Sequence, residues 1–183
     1  MPSDCILTYT KIRFSPLNAK PADINIRDIA HALSLMTRAN GHFQRFYSVA
    51  QHSINCAEEA RAMGGDARIQ LACLLHDASE AYISDITRPV KQNLPSYMEI
   101  ESKLQAVIHE AFGINPTADE QAVVKKVDDT LLYYEFSALM DERICEPAPK
   151  LYSRPDFSER GFSEAEEEFL RLFDSLINQA AQS

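Results

Sequence analysis

LACLLHDASEAYISDITRPVK, residues 71–91, is the stretch from which the rest of the chain can be read. Leu71, Ala72, Cys73, Leu74 and Leu75 form an unbroken apolar run that predicts a buried helical segment. It delivers His76 and Asp77 side by side, then Glu80, then Asp85. Burying ionisable groups without a partner costs several kcal/mol, so a cluster at the end of such a run needs one, most simply a metal ion. On a continuous helix through residue 80, His76 and Glu80 stand at i,i+4 and Asp77 and Glu80 at i,i+3, so the three heads converge on one side.

Helical periodicity extends in both directions from this stretch. Upstream, Asp66 is placed to cap the helix that carries it. A preceding helix over Phe46–Met63 turns Val49, Ala50, Ser53, Ile54, Ala57 and Ala60 inward, carries His52 at its middle and ends at Gly64-Gly65. Another runs from about Ile26, capped by Asp23 or Asn25, to Ala39, with Ile29, Ala32, Leu33 and Met36 as its apolar stripe and Asn40-Gly41 at its close. Residues 4–17, rich in β-branched and aromatic side chains, read as an extended arm or short hairpin, followed by a loop at Pro16 and Pro21.

Downstream, Pro89 and Pro95 bracket a loop, and helices follow over Ser96–Phe112 and Asp119–Met140. Residues 145–162 hold several prolines and read as a loop. Ser163 with Glu166 resembles a capping box opening a final amphipathic helix whose acidic face is expected to be solvated. The expectation is all-α: one domain over residues 1–183, a bundle of about six to eight helices with an extended arm at 1–22 and a C-terminal helix at 163–180.

A net charge of −9 argues against a nucleic-acid surface, which would want a basic patch. It leaves room for a small anionic substrate, because a bound divalent cation reverses the field inside a pocket. The four cysteines have no CxxC or finger spacing; Cys56 and Cys73 lie in apolar helical settings as core thiols, which fits a reducing cytoplasm. No apolar h-region opens the chain and no run approaches the roughly 18 apolar residues of a membrane span. A cytoplasmic protein with no membrane partner is expected.

His52, His76, Asp77 and Asp128 are two imidazoles and two carboxylates from three predicted helices. Such a mixed N/O set suits one borderline divalent ion, Zn, Mn, Co or Fe, with Mg less favoured, and leaves positions open for water and substrate. The ion would lower the pKa of its water and polarise a phosphoryl oxygen, with Glu80 as general base or acid. Asp128 is preferred to Asp129 because it shares a helical face with Val124, Leu131 and Leu132.

The H…HD…D series at His52, His76-Asp77 and Asp128 resembles the HD-domain metal-dependent phosphohydrolases. The run His76, Asp77, Glu80, Asp85, Pro89, Lys91, with the N-terminal DIAHALSLMTRANGHFQRFYSVAQHS, resembles their 5′-deoxynucleotidase branch, in its bacterial and phage subgroup. The resemblance implies a metal held by His52, His76, Asp77 and Asp128, with Glu80 as catalytic acid/base. It also implies Asp85 as a water- or substrate-orienting carboxylate and Arg38 as a phosphate-binding residue. Members of that branch remove phosphate from deoxynucleoside monophosphates, and a homo-oligomer is implied as well. Ala39 stands where relatives often carry Trp, a departure at the expected sugar site. His42 reads either as a further phosphate or metal-water contact or as a loop residue, and Lys91 either as a phosphate contact or as a solvated cation.

Only His109 lies between the HD pair and Asp128, which favours one metal over a two-metal site, and Ala81 after Glu80 departs from the HDxxED of alarmone hydrolases. Two alternatives stay open: hydrolysis of a triphosphate or another small phosphate ester, and a non-catalytic metal- or nucleotide-sensing module.

Overall fold

The structure is a computed structural model that describes residues 4–182, so residues 1–3 of the expected arm and residue 183 lie outside it. The arm is a small antiparallel hairpin of β1 (Ile6–Leu7) and β2 (Arg13–Phe14), with Ile6 opposite Phe14. Eight α-helices follow among the described residues: α1 (Ile26–Leu35), α2 (Val49–Ala62), α3 (Ala67–Leu74), α4 (Glu80–Ile83), α5 (Arg88–Lys91), α6 (Pro95–Ala111), α7 (Ala118–Met140) and α8 (Phe162–Ala180). The all-α expectation holds.

The organising element is α2, buried nearly all round despite its polar composition. One face supplies Val49, Ala50, Ile54 and Ala57 to a core shared with α1, α3 and α8, where Ile29, Leu33, Leu71, Leu74, Phe169 and Phe173 are fully or almost fully buried. Another face carries Gln51, Asn55 and Glu59 at i,i+4 spacing. These satisfy the backbone of the long loop before α8. Glu59 accepts from the Tyr152 and Ser153 N–H groups at 2.9 and 2.7 Å, Asn55 both donates to and accepts from the Asp156 backbone, and Gln51 donates to the Asp156 and Ser158 carbonyls. Buried polar side chains at this spacing thus tie down a loop that has no secondary structure of its own. A third stretch of α2, His52 and Cys56, faces α3 and α7, which pack against it.

The hairpin is tied to α1 by Asp28, which accepts from the Thr10 N–H at 2.6 Å and its hydroxyl at 2.8 Å. Phe14 is fully buried and stacks on Tyr82, with ring centroids 4.1 Å apart, so the arm packs onto the core. Asn25, Ser48, Asp66 and Thr117 cap α1, α2, α3 and α7, the last within a full capping box with Glu120.

Several boundaries differ from the periodicity. α1 ends at Leu35, not Ala39, because the next residues turn extended: Thr37 bridges Ser48 and the Arg38 N–H donates to the Tyr47 carbonyl at 2.9 Å. Ala39, Asn40 and Gly41 then take positive φ in a tight turn. The loop expected between Pro89 and Pro95 begins inside a helix, α5, which runs from Arg88 to Lys91. The Ser163–Glu166 capping box does not form: α8 starts at Phe162 with no side-chain cap. The acidic face of α8 is not simply solvated either, since Glu166 accepts from His31 Nδ1 at 3.0 Å and Glu168 pairs with Arg160.

The main departure is at the decisive stretch. α3 stops at Leu74 and residues 75–79 wind through tight turns before α4 begins at Glu80. The expected single helix through residue 80 is therefore absent, and two side chains account for the break. His76 Nδ1–H donates to the Cys73 carbonyl at 2.7 Å, the acceptor that the Asp77 N–H would need for the helix to continue. Gln105 of α6 donates to the Leu75 carbonyl at 2.7 Å and accepts from the Ser79 N–H at 3.2 Å, spanning the turn from both ends.

Candidate metal centre

The turn after α3 points His76 and Asp77 toward His52 of α2 and Asp128 of α7. The two histidine Nε2 atoms lie 3.2 Å apart. His52 Nε2 is 3.3 Å from Asp128 Oδ1 and 3.7 Å from Asp77 Oδ2, and His76 Nε2 is 3.2 Å from Asp77 Oδ2 and 3.8 Å from Asp128 Oδ1. Donors held roughly 2.0–2.2 Å from a common ion stand about 2.8–3.6 Å from one another, so the four expected ligand atoms are spaced close to what one metal requires.

The outer hydrogen bonds fix which nitrogen is free. His52 Nδ1 donates to Glu135 Oε1 at 2.5 Å, and His76 Nδ1 donates to the Cys73 carbonyl. With both rings neutral, bare Nε2 lone pairs would face each other, an arrangement that repels unless a proton or a metal ion lies between them. Burial opposes charge on both histidines, yet the surrounding carboxylates hold both pKa values above the ordinary value, well above for His76. Asp77 and Asp128 are held far below the usual carboxylate range: burial works against them, but the adjacent histidines outweigh it. The centre demands positive charge, and the donor set fits a divalent ion.

Cys56, one turn along α2 from His52, also approaches, with Sγ 3.5 Å from His52 Nε2; with His52 and His76 it forms a further group of close donor atoms. Its thiol is pushed well up by burial and then by Asp128, and it lies in an apolar cluster with Ala60, Cys73, Val127 and Leu131. The carboxylates, in contrast, line the adjoining cavity.

That cavity, of about 480 Å³, opens onto the centre. Its wall holds every remaining sequence-derived candidate: Glu80, Asp85, Arg38, His42 and Lys91. Five carboxylates, Asp77, Glu80, Asp85, Asp128 and Glu135, face three permanent cations, Arg38, Arg88 and Lys91. Apolar side chains, Phe43, Ile86, Leu132, Phe136 and Met140, complete the lining.

Glu80 is 4% exposed, and its Oε2 has no hydrogen-bond partner among the described residues. Burial, then Asp77 and Asp85, push its carboxyl up to about 10, so without a metal it carries a proton at neutral pH. Arg38 reaches Asp77 Oδ2 at 3.3 Å, Glu135 Oε2 at 3.4 Å and Asp128 Oδ1 at 3.6 Å. Lys91 pairs with Glu101, and His42 is exposed at the rim. Asp129 turns outward to Lys125 and Arg88, as the choice of Asp128 required.

Sequence reasoning missed three residues. Glu135 stands seven residues beyond Asp128, two turns along the same face of α7, so helical spacing alone could have flagged it. Arg88 and Gln105 carry no such signal, since only the tertiary fold brings α5 and α6 to the centre.

A helical bundle that gathers two histidines and two carboxylates beneath an acidic cavity defines a class of metal-binding proteins. The chain belongs to the HD-domain family: residues 49–130 match the HD domain model, a segment holding His52, His76, Asp77 and Asp128. The HD domain supports a metal-dependent hydrolase in general, and HD domains bind a divalent metal. The chain is 35% identical over 151 residues to an uncharacterized protein of Rhodobacter capsulatus, covering 79% of this chain and 76% of that one. It is 44% identical over 94 residues to the uncharacterized protein YfdR of Escherichia coli K12, covering 51% of this chain and half the length of that relative. Among the described residues no helix is long and apolar enough to cross a membrane.

Proposed function

We propose that this chain is a cytoplasmic, mononuclear 5′-deoxynucleotidase that releases orthophosphate from deoxynucleoside monophosphates. The observation that carries the reading is Glu80: a buried carboxyl with an unpartnered Oε2 on the wall of the cavity above the histidine–carboxylate centre. Holding a metal does not require that side chain, whereas moving a proton does. The cavity lining mixes charged with apolar and aromatic side chains, which suits a phosphate joined to a nucleoside.

His52, His76, Asp77 and Asp128 would hold the ion, which when bound supplies Lewis acidity toward a phosphoryl oxygen and toward water. Glu135 and the Cys73 carbonyl keep both histidines in the tautomer that presents Nε2. Arg38, buried among Asp77, Asp128 and Glu135, reduces the charge a phosphate dianion would meet. Glu80 Oε2 takes the proton of the attacking water and returns it to the departing 5′-oxygen. A bound cation favours its ionised form, bringing its pKa down toward the range that this exchange needs. Asp85, on the same wall, orients the ester or the water.

The test is a panel of deoxy- and ribonucleotides with added Mn, Co, Zn or Mg, run beside Glu80→Ala. Expected is orthophosphate from deoxynucleoside monophosphates, reduced roughly 10²–10⁴-fold in the variant with metal retained. Triphosphate release would transfer the protein to the triphosphohydrolase reading. No release from any nucleotide, with metal bound, would overturn the nucleotide assignment.

A further inference from the structure

Three permanent cations line the cavity, all of them in ion pairs, and they differ in what it would cost to leave those pairs. Arg38 is 11% exposed and shared among three carboxylates, one of which, Glu135, is fully buried. Turning Arg38 toward a substrate would leave the buried Oε2 of that carboxylate without a partner among the described residues, with only Oε1 still held by His52, and an unpaired buried polar atom is costly. Lys91 is paired with Glu101, and its ammonium lies 5.7 Å from the centroid of the Tyr97 ring.

Arg88 differs in its exposure and in what it would leave behind. Its side chain is 54% exposed, and only Nη2 is engaged, at 3.2 Å from Asp129 Oδ1 and 3.6 Å from Asp128 Oδ2. Both separations exceed the roughly 2.7–2.9 Å of a strong charge-assisted bond. Nε and Nη1 have no partner among the described residues. Asp129 would not be left alone if Arg88 moved, because Lys125 holds its other oxygen at 2.6 Å. Through Asp128 Oδ2 the guanidinium already stands beside a carboxylate of the centre whose other oxygen faces the histidines.

We propose that Arg88 is the phosphate-recognition residue of this cavity, exchanging its loose contact with Asp129 for two non-bridging oxygens of the substrate phosphate. Arg38 is then a positioning residue, organising Asp77, Asp128 and Glu135 rather than touching substrate. The planar fork of Arg88 matches a phosphate edge, which a lysine meets only as a point charge. The inference rests on the phosphohydrolase reading and assigns its anion subsite to α5.

The test separates the two. Orthophosphate is titrated into the Mn-loaded protein and followed by ³¹P relaxation, which needs no turnover, for the wild type, Arg88→Met and Arg88→Lys. Mn affinity and far-UV circular dichroism are measured alongside. Expected is a loss of roughly ten-fold or more in phosphate affinity for Arg88→Met, with partial recovery in Arg88→Lys and Mn affinity within about three-fold of wild type. On any phosphate ester that the wild type hydrolyses, KM rises far more than kcat falls. Unchanged phosphate affinity in Arg88→Met overturns the proposal, as does a metal-loaded wild type that binds no phosphate. An inactive nucleotide panel with Arg88-dependent phosphate binding would refute the nucleotidase reading alone.

Discussion

Substituting Glu135 by Gln tests whether the centre is held from behind. Glu135 is fully buried, accepts from His52 Nδ1 at 2.5 Å and lies 3.4 Å from Arg38 Nη2. Gln has the same shape but no charge, and its amide can face His52 Nδ1 either with the carbonyl, at reduced strength, or with the NH2, which favours the wrong tautomer. Carboxylates behind a metal-binding histidine are typically worth 10–100-fold in metal affinity, or about 1.4–2.7 kcal/mol. Arg38 also loses one of three carboxylate partners while remaining buried, so the metal-free fold should weaken as well, by about 1–3 kcal/mol. The assay is Zn or Mn affinity by chelator competition, with urea unfolding of the chelator-treated protein. Glu135→Asp, which keeps the charge but shortens the reach, should fall between wild type and Gln. Wild-type metal affinity in Glu135→Gln would refute the claim that this carboxylate fixes the His52 ring.

Two further outcomes follow from the same geometry. Because the folded-state pKa of Glu80 is raised to about 10 from an ordinary 4.5, the metal-free folded chain keeps a proton that the unfolded chain releases in that window. Its contribution is therefore fully present below pH 4.5 and is lost as pH rises toward 10, at no more than about 1.4 kcal/mol per pH unit. Glu80→Gln, measured by urea unfolding without metal at pH 5.5, 7 and 8.5, should become progressively more stable than wild type; parallel profiles would contradict the buried, unpartnered carboxyl. For Cys56, substitution to Ala should leave metal affinity near wild type and cost about 1 kcal/mol of stability as a small cavity in its apolar cluster. A large loss of metal affinity would instead make the thiol a ligand.

Much of this molecule is legible along the chain because much of it is local. Helical periodicity found α2, α6, α7 and α8 to within a few residues, since an amphipathic face is encoded by spacing alone. The same spacing argument chose Asp128 over Asp129, and the structure aims Asp128 at the histidines and Asp129 at Lys125. His76 and Asp77 stand out as ionisable groups at the end of an apolar run that require a partner, whereas His52 is singled out only together with them, Glu80 and Asp128. Where the argument failed, a distant side chain had intervened. The helix through residue 80 is broken by Gln105 from α6 and by His76 taking a carbonyl of its own helix. The capping box at Ser163 is absent and Glu166 is paired with His31, 135 residues away along the chain.

Read alone, the chain yields the helical class and names His52, His76, Asp77, Asp128 and Glu80 as one group. The class depends on spacing within each segment, and the group on residue type and on the order of the H…HD…D series. Packing sets Glu135 behind His52, encloses Arg38 with carboxylates and leaves Arg88 with unengaged donors. Those facts concern which charges meet once α2, α5 and α7 are packed, and electrostatic partnership depends on distance through space, which residue spacing along a chain does not encode.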